Sequence, residues 1–97
     1  MYARIGTWQG TAEDLERWAK AASEQVKPNV QKQKGLEAAY WLINREESTG
    51  LTVTMWETED AMKASEQFRA QRQALTSEAT GASVSTSRYE IIDFISS

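Results

Sequence analysis

The chain has 97 residues, 40% of them hydrophobic and 26% charged, with a formal net charge of −3; this is the size of one domain and the composition of a folded rather than a disordered chain. It has no cysteine and no histidine, which excludes disulfides, thiolate nucleophiles, Cys-held zinc and iron–sulfur clusters, the Ser–His and Cys–His nucleophile systems, and His-ligated metal or haem. The acidic balance argues against a nucleic-acid partner, no run approaches the ~18 apolar residues that span a bilayer, and the opening Met-Tyr-Ala-Arg-Ile is no signal sequence, so a cytoplasmic location is expected.

Tyr2 to Trp8 alternates and carries aromatic and β-branched residues, which predicts a first strand. Its alternation puts Ala3, Ile5 and Thr7 on one face and Trp8 on the face opposite Thr7. Gln9-Gly10 breaks the strand. Thr11 fits an N-cap, with Glu13 and Asp14 in the first turn, where the helix dipole favours acid. Leu15, Trp18, Ala19, Ala22 and Val26 then recur at helical spacing as one apolar stripe. Glu13–Arg17 and Glu16–Lys20 are spaced as ion pairs for the outer face. Pro28 lacks a backbone donor, so the helix is expected to end or kink just before it. Asn29 to Lys34 has room for another helical turn, and Gly35 reads as a stop.

Leu36 to Arg45 predicts a second strand that is apolar on both sides: Ala38, Tyr40 and Leu42 on one, Ala39, Trp41 and Ile43 on the other. The polar Glu46 to Thr49 followed by Gly50 marks a tight hairpin. Leu51 to Glu57 predicts a third strand, with Leu51, Val53 and Met55 facing away from Thr52, Thr54 and Trp56. Pairing Arg45 with Gly50 would set Trp41 beside Thr54 and Ala39 beside Trp56, and a slip of one residue would reverse the faces. Thr58 is a second N-cap candidate, followed by Glu59 and Asp60. Ala61, Ala64, Ser65, Phe68, Arg72 and Leu75 trace one side of a second helix. Thr76 to Gly81 reads as a loop, and Val84 to Ile95 holds a last strand whose greasy part is Tyr89, Ile91, Ile92 and Phe94.

The predicted order β-α-β-β-α-β is the ferredoxin-like arrangement, an α+β fold with one antiparallel sheet and both helices on one face. A single domain over residues 1–97 is expected. Two helices cover only one side of a sheet whose second strand is apolar on both. An exposed patch of that kind exceeds the few hundred Å² a monomer tolerates. The expected cover is a second copy, sheet against sheet across a two-fold axis. The alternative is that the last strand or the polar loop folds over the open face.

With these residues in place the chain resembles the antibiotic-biosynthesis monooxygenase-like group of the dimeric α+β barrel superfamily. The residues that carry the resemblance are Gly35-Leu36 at the entry to strand two, the hairpin through Glu46-Glu47-Ser48, and the run Val53-Thr54-Met55-Trp56-Glu57-Thr58-Glu59-Asp60-Ala61-Met62. That run is similar to the family's strand-to-helix junction, in which a Trp precedes an acidic or polar residue, a hydroxyl N-cap and a helix. The resemblance implies a dimeric α+β barrel with a pocket between sheet and helices in each subunit. It also implies activities that range from cofactor-free oxygenation of aromatic polyketides to haem degradation and isomerisation. Trp56 matches the junction Trp of the haem-degrading branch. The axial His and the first-strand Asn of that branch have no counterpart, so haem degradation is not expected and no cofactor is assigned.

Trp18, Trp41, Thr54, Trp56 and Phe68 are the candidate substrate-binding residues, and no catalytic residue is assigned. Indole walls suit a flat aromatic ligand, although a small domain also fills its core with such side chains. Hydroxyls at Thr52 and Thr54 are unusual in a dry core, because buried ones need partners. Asn44, Arg45, Tyr40, Arg88 and Tyr89 are of the residue types proposed to hold a phenol anion in the cofactor-free oxygenases, but none matches by position. Two readings follow. The chain is a cofactor-independent monooxygenase-like enzyme acting on a small aromatic or quinol compound, or it is a non-catalytic dimeric ligand-binding or structural module of the same fold.

Overall fold

A computed structural model describes residues 1–96; Ser97, the last residue of the expected domain, lies outside the described residues. The strands are β1 (Tyr2–Gln9), β2 (Leu36–Asn44), β3 (Thr49–Trp56) and β4 (Ser83–Glu90), in one antiparallel sheet of order β2-β3-β1-β4. Helix α1 (Ala12–Ala21) runs through a π-helical turn (Ala22–Val26) into the short α2 (Lys27–Val30) between β1 and β2. Helices α3 (Glu59–Ala64) and α4 (Glu66–Thr80) lie between β3 and β4. This is the expected ferredoxin-like α+β arrangement.

Register fixes which side chains meet. Arg4 sits between Thr54 and Arg88, Gly6 between Thr52 and Thr86, and Trp8 between Gly50 and Val84. On the other side of β3, Trp41 pairs with Thr52 and Ala39 with Thr54. The hairpin thus pairs Asn44 with Thr49 and Ile43 with Gly50 rather than Arg45 with Gly50. The turn decides it: Ser48 takes a φ of 50°, and Asn44 Oδ1 accepts from Glu47 N at 3.1 Å. The displacement is two residues, so each expected face is preserved, since side chains alternate with period two.

Thr11 caps α1 as expected, accepting from Asp14 N, while the Asp14 carboxylate accepts from Thr11 N. The pairs Glu13–Arg17 and Glu16–Lys20 do not form. Arg17 binds Asp14 and Thr80 O instead, and Glu16 binds Arg45 on the hairpin. Pro28 does not end the helix. The π turn precedes it, with Lys27 N donating five residues back to Ala22 O, and helical backbone resumes to Val30. Gly35 then takes a φ of 82°, and a side chain there would also strike Ala61, with its Cβ 2.6 Å away.

The second helical region departs further from expectation. Thr76 to Thr80 is helix, not loop, and ends at Gly81. Polar residues suggested a loop, but Thr76 and Thr80 face inward one turn apart, and Thr80 Oγ1 donates to Thr76 O at 2.7 Å. Leu75 and Ala64 are exposed rather than on the buried stripe, which runs through Met62, Ser65, Thr76 and Thr80. Strand β4 stops at Glu90, so Ile91, Ile92 and Phe94 are outside it, and Ile92 and Ile95 are 94% and 97% exposed.

The core centres on Trp8, Leu15, Trp18 and Ala82. The Trp8 and Trp18 rings lie 6.1 Å apart, tilted by 38°. Trp18 reaches the sheet because Gly50 has no side chain: a Cβ there would stand 2.6 Å from Trp18 Cζ3. Gly50→Ala is therefore expected to lower stability by about 1–3 kcal/mol through overpacking, measured as a lower urea midpoint with an unchanged slope.

Candidate functional site

A cavity of about 70 Å³ lies between the sheet and the helices, and all four tryptophans line it. Of the five candidate residues, Trp41 comes from β2, Thr54 and Trp56 from β3, Trp18 from α1 and Phe68 from α4, and the structure brings all five to this wall. The π turn adds Ala22 and Val26. A second hollow of about 180 Å³ shares Trp18, Ala22 and Trp41 with the first and reaches Lys27 and Ile43. The inner cavity is smaller than the ~300–1,000 Å³ of sites that engulf drug-sized ligands. A bicyclic ring would need side chains at the wall to move.

Two indole–hydroxyl pairs define the sheet side of the cavity. Trp56 Nε1 donates to Thr54 Oγ1 at 3.0 Å, and Trp8 Nε1 donates to Thr52 Oγ1 at 3.1 Å. Each threonine accepts an N–H and keeps its own O–H to donate. Trp8 stands opposite Thr7, as its alternation predicts, and this puts it on the helix side beside Trp18, Trp41 and Trp56.

Arg4 also lines the cavity and is not among the five candidates. It is 5% exposed, yet it is a guanidinium on a central strand. Its Nη2 donates to Met62 O at 2.6 Å, Ser65 Oγ at 2.8 Å and Glu66 Oε1 at 3.1 Å, while Nε has no partner. Its carbon Cζ lies 5.6 Å from the centre of the Trp56 ring, a cation–π distance. A signal was present in the sequence: Arg4 alternates in phase with Gly6 and Trp8.

Glu66 balances this charge. Its carboxylate also accepts from Arg88 at 2.7 Å and from Arg69 at 2.8 Å. The Arg88 hydrogen bond, with help from Arg69 and Arg4, outweighs desolvation and pulls the Glu66 pKa down to about 2. For Arg4, burial outweighs Glu66 and lowers the pKa from its usual value; a guanidinium still stays charged. Arg72 lines the same cavity, and its buried Nε has no partner.

The lining contains no His, Cys, Met, Tyr, Asp or Glu. It therefore offers none of the side chains that ligate haem iron, and the residues present do not fit a haem centre. No group of three or more potential metal ligands occurs among the described residues, and no described helix is long and apolar enough to cross a membrane.

The sequence pattern of the antibiotic biosynthesis monooxygenase family matches residues 1–77. The fold matches a monooxygenase from the gene ActVA-Orf6 of Streptomyces coelicolor in complex with nanaomycin D, with TM-score 0.78 and 12% identity over 99% of this chain and 91% of that one. It matches a dimeric ferredoxin-like protein from an uncultured marine organism, with TM-score 0.78 and 14% identity over 97% of each chain. It also matches the haem degrader MhuD of Mycobacterium tuberculosis, which has two haems bound in its active site, with TM-score 0.72 and 18% identity over 99% of this chain and 100% of that one. At these identities the likeness is one of fold. No curated protein matches the chain.

A depressed carboxylate pKa makes stability depend on pH. The Glu66 contribution is complete above its ordinary value near 4.5 and is lost as pH falls through about 2. Urea midpoints are expected to fall between pH 4.5 and pH 2. Glu66→Gln is expected to flatten that part of the profile and to cost about 3 kcal/mol at neutral pH by leaving Arg4 without its counter-charge.

Proposed function

Because the chain belongs to the antibiotic biosynthesis monooxygenase family, we propose that it is a cofactor-independent oxygenase of a small aromatic or quinol compound. The observation that carries this reading is the indole-walled cavity with two hydroxyl donors on its floor. Trp41, Trp56 and Phe68 hold the ring by its faces and edges. The Thr52 and Thr54 hydroxyls donate to its oxygen, and the nearby guanidiniums favour the ionised form of that oxygen. An electron-rich anion reacts with dioxygen directly. In a quinol, a ring C–H and dioxygen then give a hydroxyquinone and water, and the substrate supplies all the electrons.

One observation favours the second reading, a non-catalytic ligand-binding module. The cavity wall holds no histidine or carboxylate to act as a general base. The oxygenase reading therefore requires a substrate acidic enough to ionise against arginine alone. Under either reading, a second copy covers the open sheet face. Tyr40, Leu42 and Tyr89 stand about half exposed there, on the side turned away from the helices.

Oxygen uptake is expected with a monocyclic hydroquinone, whose single ring is smaller than the bicyclic size that would need the wall to move. Trp56→Phe, which removes the indole N–H and part of the ring wall, is expected to reduce it roughly tenfold. A complete lack of turnover together with unimpaired ligand binding by Trp56→Phe would rule out this enzyme. Sedimentation equilibrium at micromolar concentration is expected to give the mass of two chains, and Leu42→Asp that of one; a wild-type mass of one chain would contradict the pairing.

A further inference from the structure

The cavity is apolar in its walls and positive in its charge. Arg4, Arg69 and Arg72 all line it, and Arg88 stands behind Glu66 at 2.7 Å. Glu66 is the one carboxylate among the charges acting on Arg4. It is already shared among three arginines. In a chain with net charge −3, this is a local inversion of sign. Two of the guanidiniums also have a buried Nε without a partner, at Arg4 and Arg72. An unpaired buried donor is costly, and more so on a charged group. Arg4 carries this cost at 5% exposure.

Arg72 is the more available of the two. It forms no ion pair among the described residues, whereas Arg69 is held by Glu66 and by Gln73 Oε1 at 2.9 Å. We propose that the cavity recognises an aromatic carboxylate, with its ring between the indoles and its carboxylate held by the guanidinium of Arg72, beside the positive charge of Arg4. A planar guanidinium matches a carboxylate in geometry as well as charge. The ligand's charge supplies what Glu66 alone does not. The proposal rests on the reading of the cavity as an aromatic-binding site and names the group that the ring carries.

Benzoate and benzamide separate the two claims, because they share a ring and differ in charge. Binding is read from the indole N–H resonances of the four tryptophans. Benzoate is expected to bind at least about tenfold more tightly than benzamide, the worth of one hydrogen bond to a charged group. Arg72→Gln is expected to reduce the preference severalfold, leaving the part that Arg4 supplies, whereas Arg45→Gln, outside the cavity and paired with Glu16, leaves the preference intact. Equal affinities in the unaltered protein would overturn the anion site and leave the aromatic site standing. Failure of both ligands to shift any indole signal would overturn both. A preference left unchanged by Arg72→Gln would overturn the assignment to that residue.

Discussion

The burial of one guanidinium organises the helix side of the sheet. Arg4 reaches up from the central strand and binds the carbonyl of Met62, the hydroxyl of Ser65 and the carboxylate of Glu66. Those three residues mark the place where α3 stops and α4 starts. Ser65 serves both helices: its backbone ends one and begins the other, and its hydroxyl also donates to Met62 O. The break in the second helical region is therefore built around a charge rising from β1. Trp56 lies against the same guanidinium and is 1% exposed.

Such a pair is poor evidence for stability. Removing two charges from water costs several kcal/mol per ion, and apolar residues of similar size often serve as well or better. The arginine also holds an unsatisfied donor, which an apolar side chain would not. Its position on a cavity wall fits the role proposed above, the recognition of an anionic ligand. The two sides of the sheet are then divided. The helix side combines indoles, hydroxyls and arginines around a hollow, while the far side presents Tyr40, Leu42 and Tyr89 about half exposed.

Alternation made the strands legible. Trp41, Thr54 and Trp56 could be placed on one side because their parity survives a register error of two residues. The caps at Thr11 and Thr58 were equally clear, each a hydroxyl just ahead of acidic residues. Other features depended on long-range contacts that no local pattern carries. Thr76 and Thr80 read as loop because they are polar, but tertiary packing buries them on a helix. Pro28 read as a terminator, but the π turn absorbs it. The tail from Ile91 onward is apolar enough for a strand, yet β4 ends before it. Arg4 shares the parity of Gly6 and Trp8, but an arginine in an alternating strand is ordinarily an outward, solvated residue, so parity alone does not make it a buried group. Only the partners at Met62, Ser65 and Glu66, about sixty residues away in sequence, reveal that it points inward.

If the buried pair exists for recognition rather than for stability, the two properties should separate when both charges are removed together. The most direct measurement is the benzoate affinity of the double variant Arg4→Met, Glu66→Leu, taken with its urea midpoint to establish that it folds. The account predicts a midpoint lowered only by the loss of Glu66 to Arg69 and Arg88, and an affinity for benzoate reduced severalfold. A folded double variant that binds benzoate as tightly as before would contradict it.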